Sequence, residues 1–221
     1  MKSISIQRRI LQSNTEFAEK NRKLLKEKDI FTINIFGSPG AGKTSILEKI
    51  IKNMKDTISI GVIEGDLYTT KDGERIEGQG IPVVQINTCG ACHLDAAMIE
   101  NSIENMDLED LDLIFIENIG NLVCPASYDL GEDCRITVLS ITEGNDKPLK
   151  YPFIFQQSEA VVLNKIDIIN FTDFNIDEFY EDIYSLNKDI KVFVISARNG
   201  KGIEELCHYL IDKINVRREL S

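Results

Sequence analysis

A doubly wound α/β domain built on a mostly parallel sheet is the fold class that this sequence predicts. Three observations carry the prediction. Seven short runs of β-branched and apolar residues are interleaved with helical patterns. A glycine-rich loop stands between the first run and the helical pattern behind it. Finally, 43% hydrophobic residues in a chain of 221 are enough for a self-sufficient core.

Taken in order, residues 1–29 read as a helical arm and residues 30–221 as the α/β domain. In the arm, the apolar pairs Ile10-Leu11, Phe17-Ala18 and Leu24-Leu25 recur every seven residues, which sets them on one stripe of a helix. Ser13-x-x-Glu16 has the form of a capping box. Such a stripe is expected to pack on its own domain or on a second subunit. From Ile30 onward, the runs 31–36, 58–63, 81–86, 111–117, 136–141, 160–164 and 191–195 read as strands. Helical patterns follow at 44–54, 94–105, 176–187 and 202–214.

The net charge of −11 is unevenly placed. The first 30 residues hold eight basic residues, Lys2, Arg8 and Arg9 among them, and four acidic ones; 17 basic against 32 acidic residues remain for the rest. An acidic body excludes a general nucleic-acid binder, because neutralising phosphates needs a basic surface. No apolar run approaches a bilayer span, and Met1-Lys2-Ser3-Ile4-Ser5 does not open a signal peptide. A cytoplasmic protein is therefore expected, with five cysteines that serve as thiols or metal ligands and not as a disulfide frame.

Gly37-Ser38-Pro39-Gly40-Ala41-Gly42-Lys43-Thr44, followed by Ser45, fits the P-loop pattern between a strand and a helix. Its main-chain N–H groups are expected to cradle phosphate oxygens at a helix N-terminus, with Lys43 on the β- and γ-phosphates and Thr44 on Mg²⁺. The apolar run ending in Asn164-Lys165-Ile166-Asp167 supplies a base reader. A carboxylate such as Asp167 accepts both N–H donors on one edge of guanine, a pair that adenine lacks. Asn164 is placed to meet the N7 edge and brace the P-loop, and the Lys165 stem to cover a ring face. Ser196-Ala197-Arg198, at another strand end, offers a main-chain N–H to guanine O6. Together these features mark GTP and not ATP.

For Mg²⁺ and the γ-phosphate, the candidate acids at strand ends are Asp66 and Asp72, ahead of Glu117, with Glu64 either a ligand or a solvated loop charge. A softer site is expected from Cys92 and His93, after one strand, and Cys124, after another, with Cys89 as a further thiol. Thiolates with an imidazole suit zinc or nickel far better than magnesium. Adjacent Cys92 and His93 can share an ion only across an irregular turn or between chains. Three donors also fall short of a closed four-coordinate site, so the fourth is Cys89, water or a residue of a two-fold partner. Cys134 and Cys207 read as core residues and His208 as a solvated helix residue.

Besides the P-loop and Asn164-Lys165-x-Asp167, the chain carries Cys92-His93-Leu94-Asp95-Ala96, Glu117-Asn118-Ile119-Gly120-Asn121-Leu122-Val123-Cys124-Pro125-Ala126 and Thr142-Glu143-Gly144-x-Asp146-Lys147-Pro148-Leu149-Lys150-Tyr151-Pro152. With these it resembles the HypB family, the nickel-incorporation GTPases of nickel-iron hydrogenase maturation, from about Asn14 to the C-terminus. The resemblance implies a SIMIBI-type G domain and a homodimer with slow GTP hydrolysis. It also implies a HypA-like nickel-binding protein and the hydrogenase large subunit as partners. Nickel or zinc is then held at the subunit interface by Cys92, His93 and Cys124, and Lys150, with Lys147 second, reaches the neighbouring subunit's nucleotide. The chain lacks the Cys-rich N-terminal motif and His-rich stretch of some relatives, which argues against nickel storage. Cys89 is unusual in its turn; it is expected to alter metal affinity or to pair with Cys92 on oxidation. Because Glu117 and Cys124 lie in one short segment, GTP is expected to order 66–72 and 117–124 together. Two rival readings are a urease-type nickel-insertion GTPase like UreG, whose motif is Cys-Pro-His, and a nickel carrier using GTP only as a binding switch.

Overall fold

The computed structural model describes residues 6–219, and side chains from residue 11 onward; the side chains of Lys2, Arg8, Arg9 and Ile10 fall outside the described residues. Strands β1 (Phe31–Gly37), β2 (Ile60–Asp66), β3 (Val83–Asn87), β4 (Leu113–Glu117), β5 (Cys134–Ser140), β6 (Ala160–Asn164) and β7 (Lys191–Val194) form one sheet in the order β3-β2-β4-β1-β5-β6-β7. Every neighbouring pair is parallel. The helices are α1 (Ile6–Glu27), α2 (Lys43–Met54), α3 (Lys71–Glu77), α4 (Ala96–Glu104), α5 (Lys147–Lys150), α6 (Pro152–Gln156), α7 (Ile176–Leu186) and α8 (Ile203–Glu219).

The central strands are apolar throughout because both faces are covered. Along β1, Phe31, Ile33 and Ile35 join the core under α2 and α8, while Phe36 faces the other way into a core with α6 and α7. In β4, Leu113 and Phe115 share that first core, and Ile114 and Ile116 alternate into a third under α1 and α4. The edge strands β3 and β7 are only partly buried.

Several boundaries move by one to three residues for identifiable reasons. Ile58 does not begin β2, because its N–H closes back on Met54 O. Helix α4 starts at Ala96, since Asp95 is its N-cap and accepts from Met98 N at 2.8 Å. Ser13 and Glu16 do not form the expected capping box: α1 runs unbroken from Ile6, so both lie inside the helix.

The arm packs on its own domain through a stripe that is partly polar. Ala18 and Leu25 are buried, but between them and before them sit buried Asn21 and Asn14. Asn21 Nδ2 donates to Ala96 O (2.8 Å) and Leu130 O (3.0 Å). Asn14 donates to Asp129 O (2.7 Å) and accepts from Ala96 N (2.8 Å). Gly131 lets the helix approach: a Cβ there would lie 2.6 Å from Ala18 O. Arg22 adds a two-oxygen contact to Asp129. Burial opposes the charge at Asp129, yet Arg22 and the Gly131 N–H hold its carboxyl below the ordinary range. No helix among the described residues is long and apolar enough to cross a membrane.

Asn21→Ala leaves two buried carbonyls without their donor, so it should lower unfolding free energy by about 2 kcal/mol. Glu16→Ala, on the exposed face of α1, should stay within about 0.5 kcal/mol. Chemical denaturation midpoints of the two variants check this.

Candidate nucleotide and metal site

The phosphate loop leaves β1 at Gly37 and enters α2 at Lys43. Gly40 and Gly42 take positive φ (76° and 97°), which turns main-chain N–H groups inward, and Gly42 has no room for a side chain because a Cβ would meet Asn164 Nδ2 at 2.5 Å. Lys43 and Thr44 are buried at the start of α2. A cavity of about 450 Å³ opens over them, lined by Pro39, Lys43, Thr44, Glu64, Asp66, Asp72, Arg75, Glu117, Asn118 and Gly120 among others. It lies at the carboxyl ends of the parallel strands, where open α/β sheets bind ligands.

An adjoining cavity of about 400 Å³, lined by Gly42, Ser45, Lys49, Asn164, Lys165, Asp167, Ala197 and Arg198, collects the residues expected to read a base. Asn164 Nδ2 donates to Ala41 O (2.9 Å), and its Oδ1 accepts from Ala197 N (3.0 Å), so one amide ties β6, the phosphate loop and the 196–198 turn together. Lys165 Nζ donates to Gly40 O (2.7 Å). Ser196 Oγ donates to Asp167 Oδ1 (2.6 Å) and orients the carboxylate.

Glu117, at the end of β4, accepts from Thr44 Oγ1 at 2.8 Å. Its other oxygen, Oε2, is buried and has no hydrogen-bond partner among the described residues. Burial drives its carboxyl up to about 7 against the opposing pull of Lys43 and Thr44. Glu64 is not a solvated loop charge: it is buried in β2, and burial, reinforced by the charge of Glu117, pushes it up to about 8. Its neighbour on β3, Gln85, donates to Glu64 Oε2. Glu64, Asp66 and Asp72 bring carboxylate oxygens within 4.8 Å of one another, a donor set suited to a hard cation such as Mg²⁺. Asp66 Oδ1 also accepts from Tyr68 N and Thr69 N, and Asp72 is paired with Arg75 at 2.8 Å.

Cys92, His93 and Cys124 offer Sγ, ring nitrogen and Sγ within 4.8 Å of one another. The irregular turn needed for adjacent ligands is present: residues 92 and 93 form a bend, and Cys92 Sγ lies 3.7 Å from His93 Nδ1. Tyr128 stacks on the imidazole at 3.9 Å, and burial lowers the His93 pKa, favouring the neutral ring that ligates metal. Hydrogen bonding to Cys124 raises the Cys92 thiol. Two thiols and an imidazole, only partly buried, fit a soft or borderline ion with an open fourth position. Cys89 is not in this group; at φ 50° its N–H turns back to Asn87 Oδ1. Cys134 and Cys207 are buried in the core, and His208 is exposed. Lys147 Nζ is held by Glu143 O (2.7 Å) and Asp146 (2.8 Å), whereas Lys150 is more exposed and 3.5 Å from Asp146; neither lines the phosphate cavity.

Two residues of the site, Arg75 and Gln85, belong to no sequence motif, and a third has no role that its motif reveals. Arg75, in a charged stretch, joins Asp72 to Glu48 at the cavity wall. Gln85 is visible only as a polar residue inside an apolar strand pattern. Asn118, which stands in the Glu117–Ala126 motif with no role of its own assigned, is buried at the cavity wall, where its amide accepts from Leu94 N (3.3 Å) and Ile119 N (2.9 Å) and donates to Asn34 (3.2 Å).

The family model "CobW/HypB/UreG, nucleotide-binding domain" matches residues 31–194. The hydrogenase maturation factor HypB of Rhizobium leguminosarum bv. viciae is 43% identical over 207 residues, covering 94% of this chain and 69% of that protein. Among solved structures, HypB from Archaeoglobus fulgidus superposes with a TM-score of 0.87 at 36% identity, over 92% of this chain and 100% of its own. HypB from Helicobacter pylori in complex with nickel gives a TM-score of 0.88 at 36% identity, over 92% and 95%.

Two outcomes follow from this geometry. Cys92→Ser and Cys124→Ser should each weaken Zn²⁺ or Ni²⁺ binding by at least about 100-fold, while Cys89→Ser stays within about twofold, measured by competition with a chromophoric chelator. Glu64 and Glu117 have folded-state pKa values raised above their unfolded values, so the folded state holds extra protons and ligand-free stability falls as pH rises from about 4.5 through 8. Denaturation across that window should show the fall, and Glu64→Gln should flatten it.

Proposed function

The chain belongs to the HypB family of hydrogenase maturation factors, within the wider CobW/HypB/UreG nucleotide-binding group, and on that premise we propose that it is a Mg²⁺-dependent GTPase and metallochaperone. It assists nickel insertion into nickel-iron hydrogenase, holding nickel or zinc at Cys92, His93 and Cys124 under nucleotide control. The observation that carries this reading is one short segment with Glu117, bonded to Thr44, at one end and Cys124, a member of the thiol-imidazole trio, at the other.

Asp167 accepts both N–H groups of the guanine edge with a carboxylate already oriented by Ser196. The remaining N–H of Asn164 Nδ2 turns to N7. Because Ala197 N is taken by Asn164, the amide left for guanine O6 is that of Arg198. The Lys165 stem covers a ring face. Lys43 brings its ammonium to the β- and γ-phosphates, where charge builds during hydrolysis. The Thr44 hydroxyl donates its hydrogen bond to Glu117, so its oxygen lone pairs stay available to a cation. Thr44, Asp66 and Asp72 would hold the divalent cation, whose contribution when bound is to neutralise developing phosphate charge.

A homodimer completes both sites. Three partly exposed donors call for a fourth from outside, and Lys150, more exposed than Lys147 and held only by a 3.5 Å ion pair to Asp146, reaches a neighbouring subunit's nucleotide. A HypA-like nickel protein and the hydrogenase large subunit are the partners on either side of the metal transfer.

Phosphate release from GTP and ATP tests the reading. Slow release from GTP alone is expected, abolished by Lys43→Ala. Asp167→Asn should weaken GTP by about 100-fold and favour xanthosine triphosphate, whose C2 carbonyl accepts from the new amide. No release from GTP, even with metal and partner present, would overturn the enzyme and leave a nucleotide-gated carrier.

A further inference from the structure

We propose that Asn121 is the positioning residue through which the phosphate loop sets the distance between the two metal-binding thiols. The proposal rests on the reading that GTP fills the phosphate cavity and that Cys92, His93 and Cys124 hold the metal.

Asn121 makes contact in three directions. Its main chain forms an antiparallel bridge with Gly37, the first residue of the phosphate loop. Its Nδ2 donates to Cys92 O at 3.2 Å. Its Oδ1 accepts from Val123 N at 2.8 Å, fixing the turn that delivers Cys124. One rigid amide plane thus has the Cys92 limb at one end and the Cys124 limb at the other, and its backbone is fastened to the nucleotide loop.

The neighbouring residues make this contact stiff. Gly120 lies so close to Pro39 that a Cβ would be 3.0 Å from its ring and its nitrogen, so little space separates the phosphate-loop rim from residue 120. On the other side Asn118, buried and bonded to Leu94 N next to His93, holds the start of the segment still. Between this pivot and the bridge to Gly37, a change in the phosphate loop has one outlet, a tilt of residues 120–124. That tilt carries Cys124 with its own segment, and the Asn121 bond to Cys92 O, the one tie across the gap, sets how far the two limbs separate. Coupling between the sites then needs no movement of the sheet.

The test compares wild type, Asn121→Ala and Asn121→Asp. The aspartate keeps the acceptor for Val123 N and sets an anion against Cys92 O in place of the donor; circular dichroism and GTP-analogue affinity report that each variant is folded. Zn²⁺ affinity is measured with GDP and with a non-hydrolysable GTP analogue. Wild type should differ between the two nucleotides by about tenfold, and both variants by no more than about twofold. In metal-free protein carrying Cys89→Ser, the alkylation rates of Cys92 and Cys124 should respond to the analogue in the Asn121 form and lose that response in both variants. A nucleotide effect preserved in both variants overturns the role of Asn121 and leaves the function reading intact. No effect in wild type overturns nucleotide control itself, and this coupling with it.

Discussion

The register between β1 and β4 is the constraint on which the rest of the site depends. Ile35 stands opposite Glu117, so β4 ends just where β1 is about to release the phosphate loop. The Glu117 carboxylate consequently meets Thr44, and the chain leaving β4 has to cross the loop leaving β1. Gly120 against Pro39 and Asn121 against Gly37 are that crossing. A one-residue slip would turn Glu117 to the opposite face of the sheet and dissolve every one of these contacts.

The acids at the ends of β2 and β4 show a different kind of constraint. Glu64 and Glu117 are buried side by side, each shifted well above the ordinary carboxylate range, and Glu117 Oε2 and Gln85 Oε1 have no partner among the described residues. A chain selected for stability alone would place apolar residues there. Donors arranged in advance and desolvated are what a phosphate-and-cation site requires, because their orientation is then set before the ligand arrives.

What could be read from the sequence divides along physical lines. Strands β1, β4 and β6 were legible because burial on both faces leaves continuous apolar runs. The phosphate loop and Asn164-Lys165-x-Asp167 were legible because their chemistry is local in sequence. The meeting of Cys92 and His93 with Cys124 was legible through topology alone: β3 and β4 flank β2, so their loops share one edge. Helices α3, α5 and α6, of seven, four and five residues, are too short to show a period. Glu64 was ambiguous because a carboxylate reads as the solvated end of a strand, whereas β2 runs on to Asp66 and is buried on both faces through Glu64. Asn14 and Asn21 were invisible to a search for apolar stripes, since they hold the arm by pairing buried main-chain groups.

That asparagine clasp has a mechanical consequence. Asn21 bonds both Ala96 O and Leu130 O, and Asn14 bonds Ala96 N and Asp129 O, so α1 spans the chain just after Cys92-His93 and just after the Cys124 segment. These far ends are bolted to one rod. The loops that carry Cys92-His93 and Cys124 are therefore held by α1 on their outer sides, away from the phosphate cavity. The arm, which touches neither site, fixes the frame against which any stroke of the loop between them is measured.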